Sequence, residues 1–125
     1  ASSWKGGSEL AARFSNYGAE RVDVFAPGQS IYSTVPNDEY KRNNGTSMAA
    51  PMVSGLAALL MAYYPSLSAL DVRDIILNTA TQRPTQEVSR PGNGATVAFG
   101  KLSRTGAIVN ARAALQRAQE RVASK

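Results

Sequence analysis

The amino-acid sequence of 125 residues predicts an α/β fold, and three observations support this prediction. Short segments of alternating or β-branched residues, separated by Pro and Gly, fill the range 10–44 and predict strands. A segment that is apolar nearly all the way round follows at 47–64 and predicts a buried helix. A tight turn at Gly45 joins the two regions. The length is that of one ordinary domain.

The predicted strands follow one another in short steps. Residues 21–26 (RVDVFA) alternate polar and apolar with a period of two, and a Pro-Gly turn ends them. Residues 31–35 (IYSTV) are β-branched and aromatic, and they end at a Pro-Asn-Asp turn. Residues 10–15 and 40–42 complete the set of four strand segments.

A second helix is predicted over 68–80. The hydroxyl of Ser68, with Asp71 three residues later, is typical of an acidic variant of the capping box. Its apolar residues recur at helical spacing, while Arg73, Asp74 and Asn78 are expected to face outward.

The last third of the chain begins with a predicted loop. Residues 82–96 are rich in Pro, Gly, Thr, Ser and Gln, which predicts a loop of unusual length. A short strand is predicted at 96–99. The C-terminal helix is predicted over 110–123, capped by Asn110 and with a narrow apolar stripe.

Composition excludes several kinds of site. The chain has no Cys, so it has neither a disulfide nor a thiolate metal site. The longest apolar run, 56–64, is under half of the ~20 residues that span a bilayer, and we therefore predict no membrane segment.

The net charge of +5 comes from the end of the chain. Residues 1–100 hold 8 Lys or Arg and 8 Asp or Glu, whereas residues 101–125 hold 6 basic residues and Glu120 alone. A basic terminus is one way to bind nucleic acid, with affinity that depends steeply on salt. These charges are spread around a helix without interleaved aromatic residues, which favours a solvated helix face and no nucleic-acid partner.

Residues 44–51 (NGTSMAAP) carry the strongest functional signal. Gly45 permits a sharp turn, and Ser47 then lies in the first turn of a helix, where backbone N–H groups have no intrahelical partner. Such an N–H stabilises a developing oxyanion, helped by the positive end of the helix dipole. The alternative is that Ser47 or Thr46 is only an N-cap. The full string, followed by an apolar helix, favours a nucleophile.

A serine nucleophile needs a general base, and this chain has no histidine. The sequence thus carries a nucleophile without the groups that activate it.

The chain resembles the C-terminal portion of the catalytic domain of subtilisin-like serine proteases. Residues 45–51 (GTSMAAP) match the nucleophile motif of that family, which is highly specific. The other matching segments are 14–18 (FSNYG), 22–28 (VDVFAPG), 31–34 (IYST), 67–81 and 106–111 (GAIVNA). The resemblance covers nearly the whole chain and is weakest at 82–100.

The resemblance implies the roles of several residues. Ser47 would attack the peptide carbonyl and form an acyl-enzyme, Thr46 would assist its oxyanion-binding N–H, and Gly45 would shape the turn. The catalytic Asp, the His base and the oxyanion Asn would all lie upstream, which accounts for the missing histidine. Residues 1–125 would form one portion of a three-layer fold around a mostly parallel sheet. The partners would be a polypeptide substrate and the upstream half of the domain.

Two methionines, Met48 and Met52, lie in and directly after the motif. Met52 stands where the family usually has a His, a change expected to alter packing and not chemistry. Met48 adjoins the nucleophile, and its oxidation would place a polar group at the active site.

No metal site is predicted in this segment, because the single carboxylate of Asp23 is poor evidence for calcium. The resemblance leaves calcium as an expectation for the intact domain, and secretion or a cell-envelope location as an expectation from the family.

The sequence leaves two hypotheses for the function open. The first is a serine endopeptidase whose isolated 125 residues are inactive and self-associate through exposed sheet edges and apolar surface. The second is a catalytically dead scaffold that acts as a protein-interaction module.

Overall fold

The computed structural model describes residues 1–124. This range contains three α-helices: α1 is Thr46–Tyr63, α2 is Ala69–Asn78 and α3 is Ala111–Ala123. The strands are short: β1 is Ile31–Val35, β2 Glu39–Asn43, β3 Thr81–Gln82, β4 Glu87–Ser89, β5 Thr96–Ala98 and β6 Ala107–Ile108. They pair antiparallel as β1 with β2, β3 with β6 and β4 with β5.

Two of the four predicted strand segments form no strand. Residues 10–15 and 21–26 take part only in single bridges, of Ala11 with Ser2 and of Phe25 with Ile108. The partner strand β6 is two residues long, so a longer ladder has nothing to pair with. Val22 and Val24 follow the period of two and are half-buried. Phe25 has the phase of the exposed Arg21 and Asp23 and is nevertheless fully buried, so the alternation does not predict its position.

Parallel pairing among the described residues is confined to two bridges. Ser2 pairs with Pro27, and Phe25 pairs with Ile108. Backbone hydrogen bonds of 3.0 and 2.9 Å from Phe25 N to Ala107 O and from Val109 N to Phe25 O fix the second contact. The first bridge aligns the segment around Phe25 with the start of the chain, and the second aligns it with the segment before α3.

The hairpin β1–β2 stands next to the start of α1. Its register pairs Val35 with Glu39, and the turn contains Asn37 and Asp38 at φ 71° and 56°, a backbone conformation that Asn and Asp tolerate. The rings of Tyr32 and Tyr40 stack on one face with centroids 5.6 Å apart. The opposite face is directed toward the serine turn.

The three helices share one core. Its buried residues are Leu56, Leu60, Leu67, Val72, Ile75, Ile76, Ala114 and Ala118. The capping box predicted at Ser68 and Asp71 is present, with Asp71 N donating to Ser68 Oγ at 3.1 Å and Ser68 N donating to Asp71 Oδ2 at 2.9 Å. Asp71 also forms an ion pair with Arg121, which ties α2 to α3.

The prediction that α1 is buried is wrong for the residues described. Only Ala49, Leu56 and Leu60 are buried, and they line the side of α1 that faces the other elements. The remaining surface of α1 is apolar and largely exposed, with Leu59 39% and Met61 51% accessible on two different faces. The apolar pattern shows which residues the helix can bury. Within residues 1–124, other elements cover only one side of the helix.

Helix α1 is also long and apolar enough to cross a membrane, judged by length and composition alone. The prediction from the longest apolar run missed this, because small residues and Pro51 extend the uncharged segment to 18 residues. A core helix of a globular domain has the same properties. In this structure one side of α1 packs against α2 and α3.

A second core lies under the segment predicted as a loop. Phe25 and Phe99 are fully buried, with ring centroids 4.8 Å apart, and Val88 packs beside them. The 82–96 segment is therefore not a structureless loop, since it contains β4 and the first residue of β5. Burial of Val88 between distant parts of the chain stabilises this hairpin, and its polar composition gives no sign of that contact.

Candidate functional site

Ser47 is the second residue of α1 and does not cap it. The N-cap is Gly45, and no side chain makes a capping hydrogen bond at this end. Gly45 has φ 157° and ψ 160°, a region that is nearly restricted to glycine. The interpretation of Ser47 or Thr46 as a simple N-cap is therefore wrong.

Gly28 holds the turn that precedes the serine. The N–H of Gly45 donates to the carbonyl of Gly28 at 2.8 Å. A Cβ at Gly28 would lie 2.7 Å from the carbonyl oxygen of Gly45 and 2.6 Å from Cβ of Ala1, both too short for a real contact. Glycine at 28 thus allows the two segments to approach, and it fixes where α1 begins.

Ser47 lines an open cavity of about 330 Å³ between α1 and the β1–β2 hairpin. The lining residues are Ile31, Ser33, Thr34, Asn43, Ser47, Met48, Pro51 and Met52. None of them is titratable at neutral pH. Within residues 1–124 the Ser47 hydroxyl makes no hydrogen bond, so its proton has no acceptor from this part of the chain.

The backbone around Ser47 provides polar groups for a ligand. The amides of Met48 and Ala49 donate to the carbonyl of Gly45, at 3.1 and 3.3 Å. The amide of Ser47 precedes them in the first turn, where helix geometry offers no partner four residues back. Pro51 has no N–H, so the Ser47 carbonyl lacks the helix hydrogen bond from the residue four positions later.

The other predicted site residues occupy different positions. Met48 lines the serine cavity, as does Met52. Thr46 instead lines a separate cavity of about 240 Å³, on the side of the helix start that faces Ala26 and Arg21. The structure therefore brings Ser47, Met48 and the Gly45 turn together and directs Thr46 elsewhere.

The described residues hold no group of three or more His, Cys, Asp or Glu that could bind a metal ion. Asp23 is exposed and lies 3.5 Å from Arg104, in an ion pair. Calcium binding by the intact domain stays a prediction.

One group of side chains near the serine turn was missed by sequence reasoning. Arg13, Arg90 and Lys5 line a common cavity of about 530 Å³, which also reaches Asn44. These residues are far apart in sequence and fall in segments without a motif. Only the fold shows that they meet.

Comparisons with known proteins agree on one group. The family model described as the subtilase family matches residues 6–100. Subtilisin DY from Bacillus licheniformis is 54% identical over 70 residues, which is 56% of this chain and 25% of that protein. Subtilisin NAT from Bacillus subtilis subsp. natto is 49% identical over 74 residues, 59% of this chain and 19% of that protein.

A solved structure supports the same fold. A chain from the structural study of subtilase cytotoxin SubAB assembly superimposes with a TM-score of 0.70 and 25% sequence identity. The match covers 84% of this chain and 29% of that one. The mixed helices and strands described above fit an α/β fold of this kind. The chain spans a quarter or less of the length of the two subtilisins it matches.

Proposed function

Because this chain belongs to the subtilase family, we propose that it is the serine-bearing, C-terminal portion of a serine endopeptidase domain, with Ser47 as the nucleophile. The position of Ser47 carries the proposal. Its hydroxyl is exposed, makes no hydrogen bond within residues 1–124, and lines a cavity at the start of a helix. A structural serine at a helix start uses its oxygen to cap the helix.

The proposed reaction is peptide hydrolysis through an ester. The Oγ atom of Ser47 forms a bond to the substrate carbonyl carbon, and the hydroxyl proton passes to a general base. The C–N bond then breaks as the amine leaves with a proton, and water hydrolyses the ester. The chain has no histidine, so we place the base, its Asp partner and the oxyanion Asn in the upstream part of the protein.

We assign the oxyanion contact within this chain to the amide of Ser47. It lies in the first turn of α1, where the helix dipole is positive. Gly45 supports this arrangement through a backbone conformation that other residues rarely adopt. The Thr46 hydroxyl is proposed to assist. It lines a neighbouring cavity here, so that role requires the upstream part to reshape the helix start.

We propose that the upstream half of the domain packs on the exposed side of α1. Leu59 and Tyr63, four residues apart on one face, are 39% and 72% accessible on a helix without a charged residue. Apolar surface of this kind favours association with a partner. The isolated 125 residues are accordingly proposed to be inactive and to self-associate. Sedimentation at micromolar concentration tests this, and a monomer contradicts the association.

Fluorophosphonate labelling tests the main proposal. The probe is added to the longest form of the protein purified from its source, and the adduct is mapped by peptide mass spectrometry. We expect the adduct on Ser47, because the reaction requires a base and an oxyanion site around the hydroxyl. Ser47→Ala should abolish it, while Ser54→Ala, on the same helix, should label normally. A folded, full-length sample without adduct contradicts the proposal.

The second candidate is a scaffold that binds proteins without catalysis. One observation favours it: no titratable side chain lines the serine cavity. Absence of labelling together with binding of the protein to a polypeptide would support it. Secretion or a cell-envelope location is proposed from the family alone, and fractionation of the source culture tests it.

A further inference from the structure

The cavity that sequence reasoning missed is not used by the proposed chemistry. It has a volume of about 530 Å³ and lies between three parts of the chain. These are the segment 5–14, the turn of the β4–β5 hairpin at 89–94, and Asn44 at the end of the β1–β2 hairpin. The β4–β5 hairpin falls in the segment where the resemblance to subtilisin-like proteases is weakest.

Positive charge dominates this cavity. Lys5, Arg13 and Arg90 line it together with one acidic residue, Glu9. Lys5 and Glu9 neutralise each other in an ion pair of 3.0 Å. Within residues 1–124 the guanidinium of Arg90 donates only to the neutral Oδ1 of Asn93, at 3.0 Å. Arg13 forms no ion pair within residues 1–124. Within residues 1–124, two of the three basic residues that line the cavity, Arg13 and Arg90, therefore have no carboxylate partner.

The wall that carries Arg90 is fixed before any ligand binds. Val88, two residues away, is 1% accessible in the core with Phe25 and Phe99. The turn itself is held by Gly92 N donating to Arg13 O at 3.0 Å. This bond also links the two arginine segments to each other. A preorganised cavity avoids the entropy cost of ordering its groups on binding.

The cavity lined by Lys5, Arg13 and Arg90, here called the basic cavity, and the cavity of Ser47 are lined by neighbouring residues of the chain. Asn43 lines the cavity of Ser47, and the next residue, Asn44, lines the basic cavity. The Oδ1 atom of Asn44 accepts from the amide of Ser30 at 2.6 Å, which fixes the connection between the two. Phe14, 44% accessible, adds apolar surface. An extended polypeptide advances about 3.3 Å per residue, so a substrate that runs from Ser47 past Asn43 and Asn44 would bring residues a few positions from the cleaved bond to this cavity.

We propose that the basic cavity selects polypeptide substrates that carry acidic residues on one side of the cleaved bond, through Arg13 and Arg90. This inference rests on the proposed peptidase function and names a substrate class for it. Guanidinium groups pair with carboxylates in two parallel hydrogen bonds, which suits them to Asp and Glu side chains. Because the cavity lies on one side of Ser47, the preference applies to one side of the bond only.

The first test compares three peptides with the intact protein. One peptide that the protein cleaves carries two Asp residues before the cleaved bond, one carries them after it, and one has Asn at all these positions. We expect one of the two acidic peptides to have a kcat/KM about threefold to tenfold above its Asn twin. The advantage should shrink as salt is added. An equal advantage on both sides overturns the proposal, since it indicates general charge attraction.

Variants identify the residues responsible. Arg13→Gln and Arg90→Gln should each reduce the preference for the acidic peptide, and the double variant should remove it. Arg117→Gln removes a charge of the same type from α3, where Arg117 pairs with Glu120 at 3.4 Å, and should retain the preference. The thermal midpoint of each variant verifies folding. A preference that survives in a folded double variant overturns the proposal.

Binding separates this inference from the peptidase proposal. Fluorescence anisotropy measures the affinity of the Ser47→Ala protein for the acidic peptide and its Asn twin. Tighter binding of the acidic peptide, lost on adding Arg13→Gln, supports the basic cavity even if no peptide is ever cleaved. Absence of all cleavage overturns only the peptidase proposal. Equal affinity for both peptides overturns the inference while leaving cleavage by Ser47 standing.

Discussion

The beginnings of α1 and α2 differ in how each helix uses a serine. Ser68 precedes α2, and its hydroxyl accepts from Asp71 N at 3.1 Å in a complete capping box. Ser47 lies inside α1, after an N-cap glycine, and its hydroxyl makes no hydrogen bond within residues 1–124. One serine caps a helix, whereas the hydroxyl of the other lines a cavity, as the proposed nucleophile would.

The outer sides of the two helices differ in the same sense. Helix α2 buries Val72, Ile75 and Ile76 and turns charged Arg73 and Asp74 to solvent. Helix α1 turns apolar residues to solvent instead. Within residues 1–124, α2 buries three of its apolar side chains and exposes charged ones, whereas α1 exposes many apolar side chains. Helix α1 thus contains both the serine whose hydroxyl makes no hydrogen bond within residues 1–124 and the exposed apolar residues.

The largest expected effect separates the two serines by activity. Ser47→Ala should lower peptidase activity of the intact protein by at least roughly 10⁴-fold, because it removes the nucleophile. Its unfolding free energy should change by less than about 0.5 kcal/mol, since the hydroxyl makes no contact in the described structure. Peptide hydrolysis and urea denaturation of the same preparations measure both. A large stability loss with residual activity would assign Ser47 a structural role.

The next effect sharpens the contrast between the two sides of α1. Leu60 is fully buried, and Leu60→Ala should destabilise the 125-residue chain by about 2–5 kcal/mol. Leu59→Ala, at a neighbouring position on the outer side, should cost less than about 1 kcal/mol there. In the intact protein the two costs should become similar, because the upstream half covers Leu59. Denaturant unfolding measures all four values, and a small cost for Leu59→Ala in the intact protein would refute this coverage.

A smaller effect tests the position of the serine turn. Gly28→Ala places a methyl group 2.7 Å from the Gly45 carbonyl oxygen and should cost about 1–3 kcal/mol of stability. Displacement of the turn should also lower kcat of the intact protein by roughly tenfold or more. Gly55→Ala is the matched control in the 125-residue chain. Its Cβ meets no atom within 4 Å, and alanine favours the helix by up to about 1 kcal/mol.

The smallest effect returns to the cap of α2. Ser68→Ala removes one capping hydrogen bond and should cost about 1 kcal/mol of unfolding free energy. Activity per folded molecule should be unchanged, since Ser68 lies outside the serine cavity. Ser8→Ala, an exposed serine in the short 3₁₀ helix Gly7–Glu9 and outside the three α-helices, is the control for stability. If Ser68→Ala lowered kcat per folded molecule, the distinction between a capping role for Ser68 and a catalytic role for Ser47 would be wrong.

Local signals explain which parts of the fold were predictable. The cap of α2 depends on two residues three positions apart, and Asn110 likewise caps α3 by accepting from Ala113 N at 3.0 Å. Both are visible in the sequence. Hairpin β4–β5 was not predicted, because it depends on burial of Val88 against Phe25. Val88 and Phe25 are far apart in the sequence, and the residues around Val88 show no pattern that indicates their shared core.

The candidate site divides in the same way. The motif at 44–51 identified Ser47 and the Gly45 turn, since those residues are contiguous. The contact of Gly28 with Gly45, and the meeting of Arg13 with Arg90, depend on folding of the chain between them. The exposed side of α1 could not be predicted, because an apolar pattern states what a helix can bury without stating whether a partner is present.

The pairing of Phe25 with Phe99 has a consequence for the order of folding. These rings meet across most of the chain, so their contact closes a long loop, whereas α1 and α2 are joined by a short connection. Contacts that are local in sequence form sooner than distant ones. We therefore expect the pair α1–α2 to fold early and the contacts of Phe25 with Phe99 and Ile108 to form late. Pulsed hydrogen exchange during refolding tests this order, and earlier protection of the Phe25 amide than of the Leu60 amide would reverse it.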